Sequence, residues 1–151
     1  MIKLITFGSP KSKEMAALIS DYEKRINKYH HIEVIELKEH THKTKEENLK
    51  LEANDIKRHL LKNCYVIVND IEGEKINSVD LSEKINSLLN HYPNIMFIIG
   101  SSNGIDNEIK KQANMLLSFS DLTFPHLIFR LMFLEQIYRS FKILNNESYH
   151  K

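Results

Sequence analysis

The sequence predicts an α/β fold built on a largely parallel sheet. Three observations lead there. Short apolar runs alternate with stretches of helical periodicity along the whole chain. Two of the runs, Tyr65 to Val68 and Ile95 to Ile99, are almost continuously apolar, as strands covered on both faces are. The glycines, at 8, 73, 100 and 104, all follow expected strands. Ligands of open α/β sheets sit outside the carboxyl ends of the strands, so a site is expected along that edge.

In chain order, Ile2 to Phe7 reads as the first strand, closed by Gly8. Met15, Leu18, Ile19, Tyr22 and Ile26 then share one face of a helix. A second strand spans Ile32 to Leu37. The polar stretch KEHTHKTKEEN, 38–48, reads as a mobile loop that leads into a helix with Leu49, Ala53, Ile56 and Leu60 on its apolar face. Tyr65 to Val68 is the third strand. Ser78 is expected to cap a helix carrying Val79, Ile85, Leu88 and Leu89. Ile95 to Ile99 is the fourth strand and Met115 to Phe119 the fifth. Pro125 then opens a long helix to about Leu144, because proline is tolerated in a first helical turn.

The chain has 151 residues, 42% of them hydrophobic, enough to bury a sizeable core in one domain. Twenty-one Lys and Arg stand against 20 Asp and Glu, so no global field selects nucleic acid, a membrane or an acidic substrate. A polyanion must be met by a local patch. The single cysteine, Cys64, excludes an internal disulfide and, beside its apolar neighbours, reads as a buried, inert thiol suited to a reducing cytoplasm. No segment approaches the ~18 apolar residues of a membrane span, and the first residues read as a strand instead of a signal peptide. A cytoplasmic protein that needs no membrane is expected.

The loop after the fourth strand, in IMFIIGSSNGI (95–105), is not a phosphate-binding P-loop, since no Lys-Ser/Thr pair follows Gly104. It also lacks the G-x-G-x-x-G spacing of a dinucleotide fingerprint. Pattern alone leaves two readings open, tight turns or a loop shaped for a ligand. The last helix is apolar on almost every side in its first half, which points to a two-fold homodimer through that helix or to a central helix of a monomer. Arg130, set among Phe129, Leu131 and Met132, needs an anion or carbonyl partner. Glu135 and Arg139 have the spacing of an i,i+4 ion pair. The end, NNESYHK, is either a frayed terminus or an arm carrying an aromatic ring, an imidazole and a cation. His30, His31, His40 and His42, with Glu36 and Glu39, have neither C-x-x-C nor H-E-x-x-H spacing, so no metal is expected.

FIIGSSNGI (97–105), LSFSDLTFPHLIFRLMFLEQIYRSFKI (117–143), the terminal YHK (149–151) and YEKRINKY (22–29) together resemble the RlmH family of SPOUT-class methyltransferases, over essentially the whole chain. The resemblance implies one domain, 1–151, whose C-terminal part forms a deep trefoil knot, an exception to the rule against knots. It implies methylation of N3 of a pseudouridine in 23S ribosomal RNA, with S-adenosyl-L-methionine as cofactor. Asn69, Gly100, Phe119, Ser120, Asp121, Leu122, Thr123 and Phe124 would line the cofactor pocket, largely through backbone groups. Two positions depart from the family: Ser101 replaces a common glycine and Asn69 a usual aliphatic residue. His150 would act as general base or orient the nucleobase, and Tyr149 would stack on it. Arg130, Arg139 and Lys151 would bind phosphate or stabilise developing charge, with His126 a further candidate for substrate contact. One subunit's pocket would work with the other's tail, and the near-neutral charge suits docking on an assembled ribosome. The competing classes are a non-enzymatic nucleotide-binding or ribosome-associated module and a purely structural dimer.

Overall fold

The structure, a computed structural model, describes residues 1–151. In chain order it comprises β1 (Ile2–Phe7), α1 (Lys13–Asn27), β2 (Ile32–Leu37), α2 (Lys45–Lys57) and β3 (Cys64–Lys75). Then come α3 (Ser78–His91), β4 (Asn94–Ile99), α4 (Asn107–Gln112), β5 (Met115–Ser118) and α5 (His126–Leu144). The strands form one sheet in the order β2-β1-β4-β3-β5, and every neighbouring pair runs parallel.

Side chains alternate between sheet faces, so each inner strand feeds two cores. Ile2, Leu4, Ile67, Phe97 and Ile99 pack under α1, α3 and α5 against Ile19, Ile85, Phe133 and Ile137. Ile5, Phe7, Val68, Met96 and Ile98 pack under α2 and α4 against Ala53, Ile56 and Ile109. Each such side chain contributes about 1.5–3 kcal/mol on burial, and β1 and β4 are buried over almost their full length. That double covering is why β4 stands out as an apolar run. No helix is long and apolar enough to cross a membrane. Cys64 is half-buried and burial raises its thiol pKa, which keeps it protonated and unreactive.

Several expected boundaries move, each for a local reason. α2 begins inside the polar stretch, because the Thr44 hydroxyl accepts from the Glu47 amide while the Glu47 carboxylate accepts from the Thr44 amide. Asn77, not Ser78, caps α3 by accepting from the Asp80 amide at 2.9 Å. Ser78 is the first helical residue and donates its hydroxyl hydrogen to Gln136 at 2.7 Å. The short α4, capped by Asp106, was not expected from periodicity. Leu18, expected inside, is 49% exposed.

β3 runs far past Val68, so Gly73 lies within the strand and not after it. Leu117 of β5 pairs with both Asn69 and Glu74, which leaves 70–73 as an extra loop in the ladder. Gly73 passes so close to β5 that an added Cβ would sit 2.6 Å from the backbone of Leu116 and Leu117. Gly73→Ala is expected to lower stability by about 1–3 kcal/mol, the range for forced overpacking, measured as a fall in denaturation midpoint. An unchanged midpoint would mean that the two strands can part at no cost.

Candidate functional site

The carboxyl ends of β4 and β5 and the interrupted middle of β3 at Asn69 to Ile71 open onto a cleft of 260 Å³. The loop after β4 forms one wall with Gly100, Ser101, Gly104 and Ile105, and the segment after β5 forms the other. His126 and Phe129 of α5 close one end, with His126 lying over Gly8. Of the residues expected around the cofactor, the cleft gathers Asn69, Gly100, Phe119, Ser120, Leu122, Thr123 and Phe124. Asp121 lies outside the lining and pairs with Lys75 instead.

The loop's shape requires both its glycines. A Cβ on Gly100 would lie 2.5 Å from the Gly104 carbonyl oxygen, and Gly104 itself has φ +94°. The turn closes through the Gly104 amide donating to the Ser101 carbonyl at 3.0 Å. The tight turn therefore presents backbone to the cleft. Asn69 is 9% exposed and donates to the Ile98 carbonyl at 3.2 Å, while its Oδ1 has no partner. A buried acceptor without a donor costs about 1–3 kcal/mol, and this one belongs to a residue that lines the cleft. Asp70, also in the lining, is held by Lys110 at 2.6 Å.

Leu117 and Phe119 also border a second, larger cavity of 940 Å³. Leu18, Val79, Leu131 and Met132 give this groove an apolar floor, and Ser78, Gln136 and His150 supply polar groups. The C-terminal tail packs beside it. Tyr149 donates its hydroxyl hydrogen to Glu135 at 3.1 Å, meets Tyr138 edge-on and lies 4.8 Å from the Arg139 guanidinium. Burial, and then hydrogen bonds with Tyr22 and Glu135, hold the Tyr149 phenol protonated far above its usual range. Arg139 donates to Glu135 at 2.6 Å and to Nδ1 of His150 at 3.2 Å. The Glu135–Arg139 pair is thus the anchor of the tail and more than a surface ion pair. Lys151 is exposed.

Arg130 is enclosed within the fold. It is 2% exposed, lines neither cavity, and finds its anions inside the fold, with Glu36 at 2.8 Å and Glu23 at 3.4 Å. Its Nε and Nη1 have no partner. Burial alone would raise the Glu36 carboxyl, but bonds from the Ser9 hydroxyl and Arg130 outweigh it and leave that carboxyl below the usual 4.5. His40, a member of the histidine-rich stretch, bonds Asp55 at 2.8 Å.

Sequence reasoning missed Asp70 and the buried Glu52. The second had a signal: Glu52 is three residues after Leu49 and four before Ile56, on the apolar face of its helix.

A family profile described as "Predicted SPOUT methyltransferase" matches residues 1–150. The chain is 42% identical to the protein named "Ribosomal RNA large subunit methyltransferase H" of Caldicellulosiruptor bescii, over 100% of both chains. Proteins with the same name from Malacoplasma penetrans and Clostridium botulinum are 43% and 41% identical, over 99% of both chains in each case.

The Arg130 cluster makes a prediction about stability. Glu36→Gln leaves the buried guanidinium with one weaker anion, and stability at neutral pH is expected to fall by about 1–3 kcal/mol. Because the folded carboxyl lies below 4.5, its contribution is complete above 4.5 and is lost as pH falls from there through the lower folded value. Denaturation of both proteins across that window should bring their stabilities together at the acid end. Parallel curves would remove Glu36 as a stabilising anion.

Proposed function

This chain belongs to the SPOUT methyltransferase family, and on that premise we propose that it methylates N3 of a pseudouridine in 23S ribosomal RNA on the assembled ribosome. The methyl donor in this reading is S-adenosylmethionine, and the active form is a cytoplasmic homodimer paired through α5, with 1–151 as a single domain carrying the family's knot. The observation that carries the reading is the cleft itself. Its two walls are the loop at Gly100 and the segment from Phe119 to Phe124, the stretches that the family resemblance associates with the cofactor.

The residues present fit such a cofactor. The tight turn offers backbone amides and carbonyls, Phe119, Phe124 and Phe129 offer apolar surface, and the orphaned Asn69 oxygen offers an acceptor. S-adenosylmethionine would supply the electrophilic methyl group, which leaves positioning and charge management to the protein. Tyr149, kept protonated, stacks on or borders the nucleobase. Arg139 donates to Nδ1 of His150, so the neutral imidazole carries its proton on Nε2. That tautomer favours His150 as a donor that orients a base carbonyl, with the N3 proton released to solvent water instead of to His150. Lys151 and Arg139 face phosphate or the negative charge that develops on the base, and His126 guards the cleft end. Arg130, enclosed by Glu36 and Glu23, holds α5 in place and does not touch substrate.

Within one chain His150 borders the groove beyond Phe119 and not the cleft. The groove's apolar floor, with Leu18 and Val79 exposed in it, supports a second copy lying there. Such a pairing lets one subunit's tail serve the other's cleft.

Deleting Ser148 to Lys151 is expected to lower the methylation rate on ribosomes by about 100-fold, the scale of a lost positioning contact on the reacting base, with S-adenosylmethionine affinity retained. A module that only binds nucleotide would keep its affinity and show no methylation to lose. A mixed dimer of a tail-deleted subunit and a Gly100→Leu subunit should regain activity that neither homodimer has; no recovery would rule out a site shared between subunits.

A further inference from the structure

Glu52 is a titratable group that the mechanism above leaves without a role, and its surroundings are unusual. It sits on α2 with 2% of its surface exposed, and its hydrogen-bond partners are all uncharged. Oε1 accepts from the His40 amide at 2.9 Å and from Asn103 Nδ2 at 3.2 Å, and Oε2 accepts from the Ser101 hydroxyl at 2.7 Å. Burying a carboxylate without a cation is costly, and it persists only where several donors converge on it. Here two of the three donors belong to the loop of 101–103.

The bonds make one connected set. Ser101 Oγ, while donating to Glu52, accepts from the Asn103 amide at 3.0 Å. Asn103 Nδ2 also donates to the His40 carbonyl at 3.0 Å, and the Ser102 amide donates to Glu39 at 2.9 Å. The segment after β2, the inner face of α2 and the loop after β4 are therefore joined around a single carboxylate. The side chains of Ser101 and Asn103 bond Glu52 on α2 and that of Ser102 bonds Glu39, while Gly100, Ser101 and Gly104 line the cleft. A wall fixed before its ligand arrives avoids the ordering cost on binding.

We propose that Glu52 is the positioning residue of this loop: through Ser101 and Asn103 its carboxylate holds residues 100–104 in the shape that receives the methyl donor. The second half of this statement rests on the cofactor reading given above. Glu52→Gln keeps the size of the side chain but puts an NH2 group where donors converge. Ser101→Ala removes one hydroxyl, leaves the carboxylate in place, and carries the test if Glu52→Gln does not fold.

The experiment is hydrogen–deuterium exchange on the full-length protein without ligand, beside S-adenosylmethionine titration and steady-state kinetics on ribosomes. Amides 102–104 should exchange about ten-fold faster in each variant, with 95–99 in β4 unchanged. KM for the donor should rise about ten-fold, with kcat at saturating donor nearly kept. The double variant should be no worse than Glu52→Gln alone, because both substitutions cut one connection. Unchanged loop exchange in a folded variant overturns the proposal. So does faster exchange with unaltered donor affinity, or protection lost equally in β4 with kcat reduced and KM unmoved, which marks a general structural role. If wild-type protein fails to bind S-adenosylmethionine while the loop still loosens in the variants, the clamp is supported and the cofactor reading alone fails.

Discussion

Because every strand in the sheet runs in the same direction, all five carboxyl ends leave from one edge, and every loop there has to turn sharply within reach of its neighbours. The functional architecture follows from this constraint. The turn after β4 is so tight that Gly100 and Gly104 approach to van der Waals limits, and its side chains are drawn off toward α2. The segment after β5 forms the opposite wall. A cleft bounded by backbone on one side and phenylalanines on the other results from topology before any specific chemistry is added.

α5 connects that cleft to the rest of the molecule. Its start places His126 and Phe129 at the cleft end, its middle packs Phe133 against Phe97 and Phe119, and its last turns anchor the tail through Glu135 and Arg139. Arg130 stiffens this helix from inside by ion pairs to β2 and α1, where a side chain exposed to RNA would gain nothing from such enclosure. Phe119 and Leu117 are shared by cleft and groove, so a second chain seated in the groove would press on a wall of the cleft. Catalysis and assembly are physically coupled in the proposed dimer for that reason.

The fold was largely legible from sequence, and unevenly so. β1 and β2 were bounded to the residue, since apolar patterning and flanking polar residues mark both ends. The second half of β3 was invisible because DIEGEK pairs only with a short strand and lies largely exposed, which leaves no apolar signature. The short α4 spans too few residues for helical periodicity to register. The capping box of α2 is written in Thr44-x-x-Glu47, inside a stretch whose polarity otherwise reads as loop. The cleft residues came from family resemblance; no spacing in the sequence brings Asn69 beside Gly100 and Phe124. Long-range pairing explains the remaining misses. Glu135 and Arg139 looked like an ordinary helical pair because Tyr149 and His150 reach them only after the chain folds back.

The most direct test is calorimetric titration of the purified protein with S-adenosylmethionine, alongside Gly100→Leu. The account predicts saturable binding to wild-type protein and none to the variant, in which a side chain must displace the Gly104 carbonyl that closes the loop. Equal binding to both would move the cofactor away from this cleft, and no heat from wild-type protein at two temperatures would contradict the assignment of a methyl-donor site.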